Sequence, residues 1–263
     1  MSLLSRDRVF IALAPERLAA LRVAGRFRPR IEERHELPVL AANGAQWDAL
    51  MTALEDLLDQ PAWAACDLTL ILSSHYVFCA VIPGSQGLAA VEQSELAHLV
   101  FRNIYGELSD EWEFRVSPSG GMPTLASAVP QSTLKALHEA CDGRGRLRSI
   151  QPGLMAVFNG VRPLIEKNTG TLALVEPGRT SLAAFENGLW QSVASRAGRS
   201  SGLAQLLDDE SELHGRRPGG TLWLCDLTGE VRLPPSSPWH LQRLKPRHGV
   251  GNGSANLAEW GIP

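Results

Sequence analysis

Cysteine, surplus charge and long apolar runs are all scarce in this chain of 263 residues, and each scarcity excludes a class of protein. The four cysteines, Cys66, Cys79, Cys141 and Cys225, lie far apart and form no CxxC pair. Disulfide scaffolds and zinc knuckles need clustered thiols, so neither is expected. Three of the four sit in or beside apolar, strand-like runs, where a free thiol behaves as a small hydrophobe. Lys and Arg number 25 against 28 Asp and Glu, a net charge of −3. Without a basic stripe to neutralise phosphates, a general nucleic-acid binder is excluded. The one long stretch free of charge, Leu68 to Val91, is broken by Ser73-Ser74-His75 and by Pro83-Gly84-Ser85-Gln86-Gly87. What remains is two strand-length runs, whereas a membrane helix needs roughly 20 apolar residues in succession. The N-terminus places Arg6, Asp7 and Arg8 before a short apolar run and lacks the apolar core and cleavage site of a signal peptide. A soluble, reduced, cytoplasmic protein is expected.

Catalytic motifs are missing too. There is no GxxxxGK[ST], GxGxxG, HExxH or GxSxG. The seven histidines (35, 75, 98, 138, 214, 240 and 248) are isolated, with no two at i, i+4, so no metal site is expected. Ser73-Ser74-His75 sets a hydroxyl beside an imidazole, but between two strands it reads as a turn. Asn252-Gly253-Ser254 matches a glycosylation sequon, which carries no weight in a reduced compartment.

The chain is otherwise ordinary: 44% hydrophobic and 20% charged, enough to bury the core of one large domain or two small ones. Apolar patterning predicts strands at Val9–Leu13, Leu18–Val23 and Arg30–Leu37. The third alternates Ile31, Glu33, His35 and Leu37 with Arg30, Glu32, Arg34 and Glu36, the mark of an edge or a solvated face. Trp47, Leu50, Met51, Leu54, Leu57 and Leu58 predict a helix over 46–59, stopped by Pro61. A strand pair is expected at 68–72 and 76–82. Helical spacing recurs at Leu96, Leu99, Val100 and Ile104. Strands at 112–116 and 124–129, a helix from Ser132 to Cys141, a strand at 146–150 and a helix at 154–165 follow. A third block repeats the first: strands at 171–175, 181–185 and 190–195, the latter two joined by the hairpin signal Asn187-Gly188. A helix at 203–213, a strand at 221–225 and a last strand at 241–244 complete it. Most of 246–263 reads as a loose tail containing Trp260.

Strand–strand–strand–helix–strand thus occurs twice, the order of a ribonuclease-H-like core, and two such cores make the actin-like fold. The order resembles the actin-like proteins of bacterial pilus and secretion machines: the PilM pilus-assembly proteins and the cytoplasmic domain of the GspL type II secretion protein. Thr171–Arg196, TLALVEPGRTSLAAFENGLWQSVASR, resembles the opening hairpins of that family's second lobe, and Ser149–Phe158, SIQPGLMAVF, the strand-to-helix entry before it. The resemblance covers Val9 to Leu244. It implies an α/β actin-like fold of mixed sheets: a first ribonuclease-H-like lobe over 1–91, a connecting or inserted α/β segment over 92–150, a second lobe over 151–245 and a flexible tail over 246–263. GspL proteins continue into a membrane helix and a periplasmic domain, so a stand-alone counterpart nearer PilM in layout is expected here.

The departures from that family bear on function. Actin-like ATPases hold nucleotide with two hairpin loops, each carrying an Asp for Mg²⁺ and a Gly that lets backbone N–H groups cradle phosphate. At the first loop Ala12 stands where the Asp would be, Ala14 replaces the Gly, and Pro15 removes a donor. At the second, Glu176 and Gly178 survive but Pro177 removes another donor. No Gly-Gly adenosine motif follows Arg196. The resemblance therefore implies no catalytic residues, no cofactor and no metal: a non-enzymatic scaffold docking inner-membrane pilus or secretion proteins, or the secretion ATPase. It would meet the membrane only through those partners. The alternative is an actin-like ATPase or kinase using Glu176 as its metal carboxylate.

Other candidates have bland readings. Asp208-Asp209-Glu210 with Glu212 reads as the solvated end of a helix rather than a cation site. Arg144, Arg146 and Arg148 read as a polar strand face rather than a phosphate site, and Arg216-Arg217-Pro218 as a solvated loop. Trp63, Trp239 and Trp260 lie in loops or tail, either as interface anchors or as filling.

Overall fold

A computed structural model describes residues 7–25, 28–40, 45–84, 88–118, 122–198, 202–247 and 254–263. The sequon at Asn252 and parts of the turns expected at 25–29 and 83–87 fall outside them. The chain forms two compact units: Met1–His75, Ser132–Gly160 and Lys245–Pro263 in one, Tyr76–Gln131 and Val161–Leu244 in the other.

The first unit is built on a five-stranded sheet in the order β3-β2-β1-β4-β8. Its strands are β1 (Arg8–Ala14), β2 (Arg17–Ala24), β3 (Arg30–Pro38), β4 (Asp67–Leu72) and β8 (Arg146–Pro152). β1 and β2 pair antiparallel through a tight turn, while β1–β4 and β4–β8 are parallel. β1 and β4 are almost wholly apolar and buried, as a sheet covered on both faces demands. β3 forms the edge, and its alternating charges face water as its sequence predicts. Helix α1 (Gln46–Leu58) buries Leu50, Met51, Leu54, Leu57 and Leu58.

The second unit repeats that topology as β11-β10-β9-β12-β13. The strands are β9 (Gly170–Glu176), β10 (Arg179–Glu186), β11 (Leu189–Ala197), β12 (Gly220–Asp226) and β13 (Trp239–Arg243). Asn187 (φ +51°) and Gly188 (φ +79°) make the β10–β11 turn, both left-handed as the hairpin signal requires. Helix α5 (Leu203–Leu213) lays Leu203 and Leu207 on Val175, Leu182, Leu222 and Leu224. A three-stranded antiparallel sheet in the order β5-β7-β6 belongs to the same unit: β5 (Phe78–Ile82), β6 (Trp112–Val116) and β7 (Thr124–Pro130). Helix α2 (Ala90–Tyr105) lies on it through Ala97 and Phe101.

Three expectations are corrected. β5 does not pair with β4; it joins β7, because Ser73–Val77 is a crossover rather than a hairpin turn. Residues 92–150 are not one segment: α2, β6 and β7 lie in the second unit, while helix α3 (Gln131–Cys141) leads the chain back and β8 completes the first sheet. Boundaries at 91 and 150 thus fall inside units, because parallel pairing brings β8 to β4 across some 80 intervening residues that carry no local signal of it. The described end of the tail is not loose: residues 254–260 form helix α6 (Ser254–Trp260), which covers β1, β2 and β3. Leu257, Ala258, Trp260 and Ile262 are buried, which answers why a tryptophan stands there. Trp63 and Trp239 are buried as well, so all three tryptophans are filling rather than exposed anchors.

Candidate functional site

The two hairpin turns that the sequence singles out occupy equivalent places in the two sheets, and the strand registers fix the correspondence. Leu13 lies beside Leu72, and its carbonyl accepts from Ser73 N at 2.9 Å. Val175 lies beside Asp226, and its carbonyl accepts from Leu227 N at 2.9 Å. The hairpins close at Ala14–Arg17 and Glu176–Arg179. Ala14 is therefore the counterpart of Glu176, Pro15 of Pro177 and Glu16 of Gly178. Ala12, the position assigned to the missing metal Asp, corresponds to Leu174, so Glu176 does not stand at that position either.

The first turn is spent on the fold. Ala12 is fully buried between Ala19 and Ile71. The Pro15 carbonyl accepts from the Gln46 side-chain amide, which ties the turn to the start of α1, and the Glu16 carbonyl accepts from Val39 N at 2.9 Å. In the second turn Pro177 followed by Gly178 (φ +74°) is a type II pattern, so the turn itself requires that glycine without any phosphate to approach. Glu176 is 2% exposed. The Gly178 carbonyl accepts from Gly198 N, and Arg179 Nη1 donates to Ser195 Oγ at 3.4 Å. Both turns hold a proline in the same place, so each lacks the same N–H donor.

Sequence reading passed over Asp226, at the end of β12 one strand from the second turn. Its Oδ1 accepts from the Thr228 hydroxyl (2.7 Å), Thr228 N (3.0 Å) and Gly229 N (2.9 Å), and its Oδ2 from Val231 N and Arg243 Nη1, each 3.1 Å. Burial pushes its carboxyl up, but these donors outweigh it and leave the pKa below the ordinary value. The signal was Asp-Leu-Thr-Gly, the spacing of an Asx turn. With five donors on its two oxygens, the carboxylate organises this loop and has little capacity left for a cation.

The remaining candidates disperse. Ser73 Oγ shares a 2.9 Å hydrogen bond with His75 Nδ1, but Ser73 is fully buried and its Oγ also accepts from His75 N, the bonding of a turn. Arg146 grips Asp67 with two bonds of 2.8 Å, Arg148 reaches the same carboxylate at 3.5 Å, and Arg144 pairs with Asp59 at 2.7 Å, so these arginines already have anions. Glu210, expected in solvent, is buried and accepts from Arg196 at 2.9 Å. Arg216, expected in a solvated loop, donates to Ser192 at 2.8 Å, and burial lowers its pKa. Glu210 and Arg216 line, with Thr171, Ser192 and Ser211, a cavity of about 10 Å³, room for one water. Burial pushes the Cys79 and Cys141 thiols to about 12 and about 11, so they are protonated and unreactive at neutral pH. Among the described residues no three His, Cys, Asp or Glu side chains gather as metal ligands, and no helix is long and apolar enough to cross a membrane.

No protein-family model matches the sequence, and no curated protein matches it by sequence. Solved structures do match by fold. The cytoplasmic domain of EpsL, an inner-membrane component of the type II secretion system of Vibrio cholerae, superposes with a TM-score of 0.61 at 12% identity, over 96% of this chain and 92% of that one. A Bacteroides thetaiotaomicron protein of actin-like ATPase fold and unknown function gives 0.58 at 12% identity, over 84% and 82%. A PilM–PilN type IV pilus biogenesis complex gives 0.53 at 14% identity, over 78% and 66%. The chain has the actin-like fold.

Proposed function

We infer that this chain is a non-catalytic actin-like scaffold of a type IV pilus or type II secretion machine, docking an inner-membrane assembly protein or the assembly ATPase at the cytoplasmic face. The observation that carries the reading is the state of the paired turns. Each has a proline where a phosphate-binding backbone would offer an N–H, neither has an Asp, and the first turn's carbonyls are committed to α1 and Val39. A fold kept while its phosphate cradles are lost is a fold kept for its surface. The likeness to the EpsL cytoplasmic domain over nearly the whole of both chains, and to a PilM–PilN complex, supports the choice of machine.

Thermal unfolding with and without millimolar Mg²⁺–ATP tests it. A ligand at ~100 times its dissociation constant adds about 2.7 kcal/mol, and at roughly 2–4 °C per kcal/mol for a chain of this size the midpoint would rise by several degrees. The scaffold shows no shift, and Glu176→Ala leaves that null result unchanged. A clear rise abolished by Glu176→Ala would establish the ATPase reading instead.

A further inference from the structure

Among the described residues, one surface of the second unit is apolar and exposed. Helix α2 buries Ala97 and Phe101 on the three-stranded sheet, and Leu96 and Val100 close that core only partly. Leu99 is 58% exposed, Ile104 56%, and Leu108, in the 3-10 turn Gly106–Glu111 that follows the end of the helix, 75%. Leu96, Val100 and Ile104 recur every fourth residue, with Leu99 one step to the side, so they form a stripe along the flank of the helix beside its buried face, and Leu108 lies just beyond Gly106 (φ +70°), where the helix ends. Single exposed leucines need no explanation; a stripe over successive turns does.

The charge around it narrows what fits. Residues 88–111 hold five carboxylates, Glu92, Glu95, Glu107, Asp110 and Glu111, against one arginine, a net −4 in a chain whose total is −3. That arginine, Arg102, is already shared with Asp110 at 3.8 Å, as is His98 at 3.2 Å. A second copy would set carboxylates against carboxylates, and an anionic membrane surface would be repelled. An apolar stripe with an acidic rim is complementary to a helix with apolar residues on one face and Lys or Arg flanking them.

We propose that the α2 flank from Leu96 to Glu111 is a docking surface for a cationic amphipathic helix of a partner protein. The proposal rests on the scaffold reading for there being a partner. The two fail separately, because the Mg²⁺–ATP response does not involve α2.

The test uses the full chain and a fluorescein-labelled 18-residue peptide of leucine and lysine patterned as an amphipathic helix, with a scrambled peptide of the same composition as control. Binding is read by anisotropy and located by hydrogen exchange. The patterned peptide binds and protects 96–111, and the scrambled one does not. The Leu99→Ser/Ile104→Ser double variant weakens binding by about tenfold or more, as does Glu107→Lys/Glu111→Lys, whose wild-type counterpart also weakens with added salt. All four side chains are exposed, so unchanged circular dichroism and melting temperature certify both variants. Absence of binding, equal binding of the scrambled peptide, undiminished binding by either variant, or protection elsewhere overturns the proposal. So does self-association of the free chain in sedimentation that Leu99→Ser/Ile104→Ser abolishes, or binding to phosphatidylserine vesicles through this flank.

Discussion

Asp226 shows how much of a carboxylate's behaviour its donors decide. In the unfolded chain it titrates near its ordinary 3.8; in the folded chain burial raises that value and the donors from Thr228, Arg243, Val231 and Gly229 more than reverse it. A folded pKa below the unfolded one means stabilisation that is fully present above the unfolded value and is lost as pH falls through the folded one. Asp226→Asn keeps an acceptor but loses the charge that Arg243 faces, at a cost of about 1–3 kcal/mol at neutral pH. The midpoint of Asp226→Asn should therefore lie several degrees below wild type between pH 5 and pH 7. The gap should close as pH falls below about 4, and a gap independent of pH down to the acid limit would show that shape, not charge, holds the loop. The residue scale is also where sequence reading was least complete. That Pro15 and Pro177 offer no N–H was legible because an absent group shows in the sequence itself. The buried state of Glu210 was not, since its partner Arg196 comes from a neighbouring strand that an acidic run in isolation does not announce.

At the scale of elements, hydrophobic period found nearly every helix and strand, and α6 is the instructive exception. It has seven residues, too few for a 3.6-residue period to declare itself, and glycine and asparagine precede it. Its order comes from packing rather than propensity. A Cβ placed on Gly160, in helix α4 (Gly153–Ile165), would meet Trp260 ring carbons at 2.6 and 2.8 Å, so the glycine is the socket for the indole. Two opposed effects then set the sign of Gly160→Ala. Helix propensity favours Ala by about 1 kcal/mol, while overpacking against a buried ring costs about 1–3 kcal/mol. In wild type the clash wins and the variant is destabilised. Trp260→Ala alone costs about 3–5 kcal/mol and exposes the 254–262 amides to exchange. With the ring gone, adding Gly160→Ala becomes stabilising. Equilibrium denaturation of the four proteins of this double-mutant cycle measures that reversal, and no reversal would mean the indole does not sit on Gly160.

At the scale of the whole molecule, the repeat of strand order was legible and its wiring was not. Three antiparallel strands, a helix and a parallel strand are local events, and each leaves its own period or turn in the sequence. The fifth strand of the first sheet and the helix across it are not local: β8 reaches β4 from 79 residues away, and Arg34 meets Glu259 across 225. Neither unit is a continuous piece of chain, since the first is assembled from three segments and the second from two. A fragment cut where the sequence suggests a lobe ends, 1–91, keeps β1 to β4 and α1 but lacks β8 and α6. One edge of β4 is then left without its ladder, and the side of β1 and β4 that carries Phe10 and Ile71, against which Gly261 rests, is left bare. An open edge and an uncovered apolar face are the two conditions that turn a sheet towards aggregation. Expressed alone, 1–91 should be insoluble or show the narrow amide dispersion of an unfolded chain, and co-expression with 92–263 should recover a soluble complex. Cooperative unfolding of 1–91 by itself would show instead that β8 and α6 decorate a core that is already complete, and that the sequence boundary marks a true folding unit.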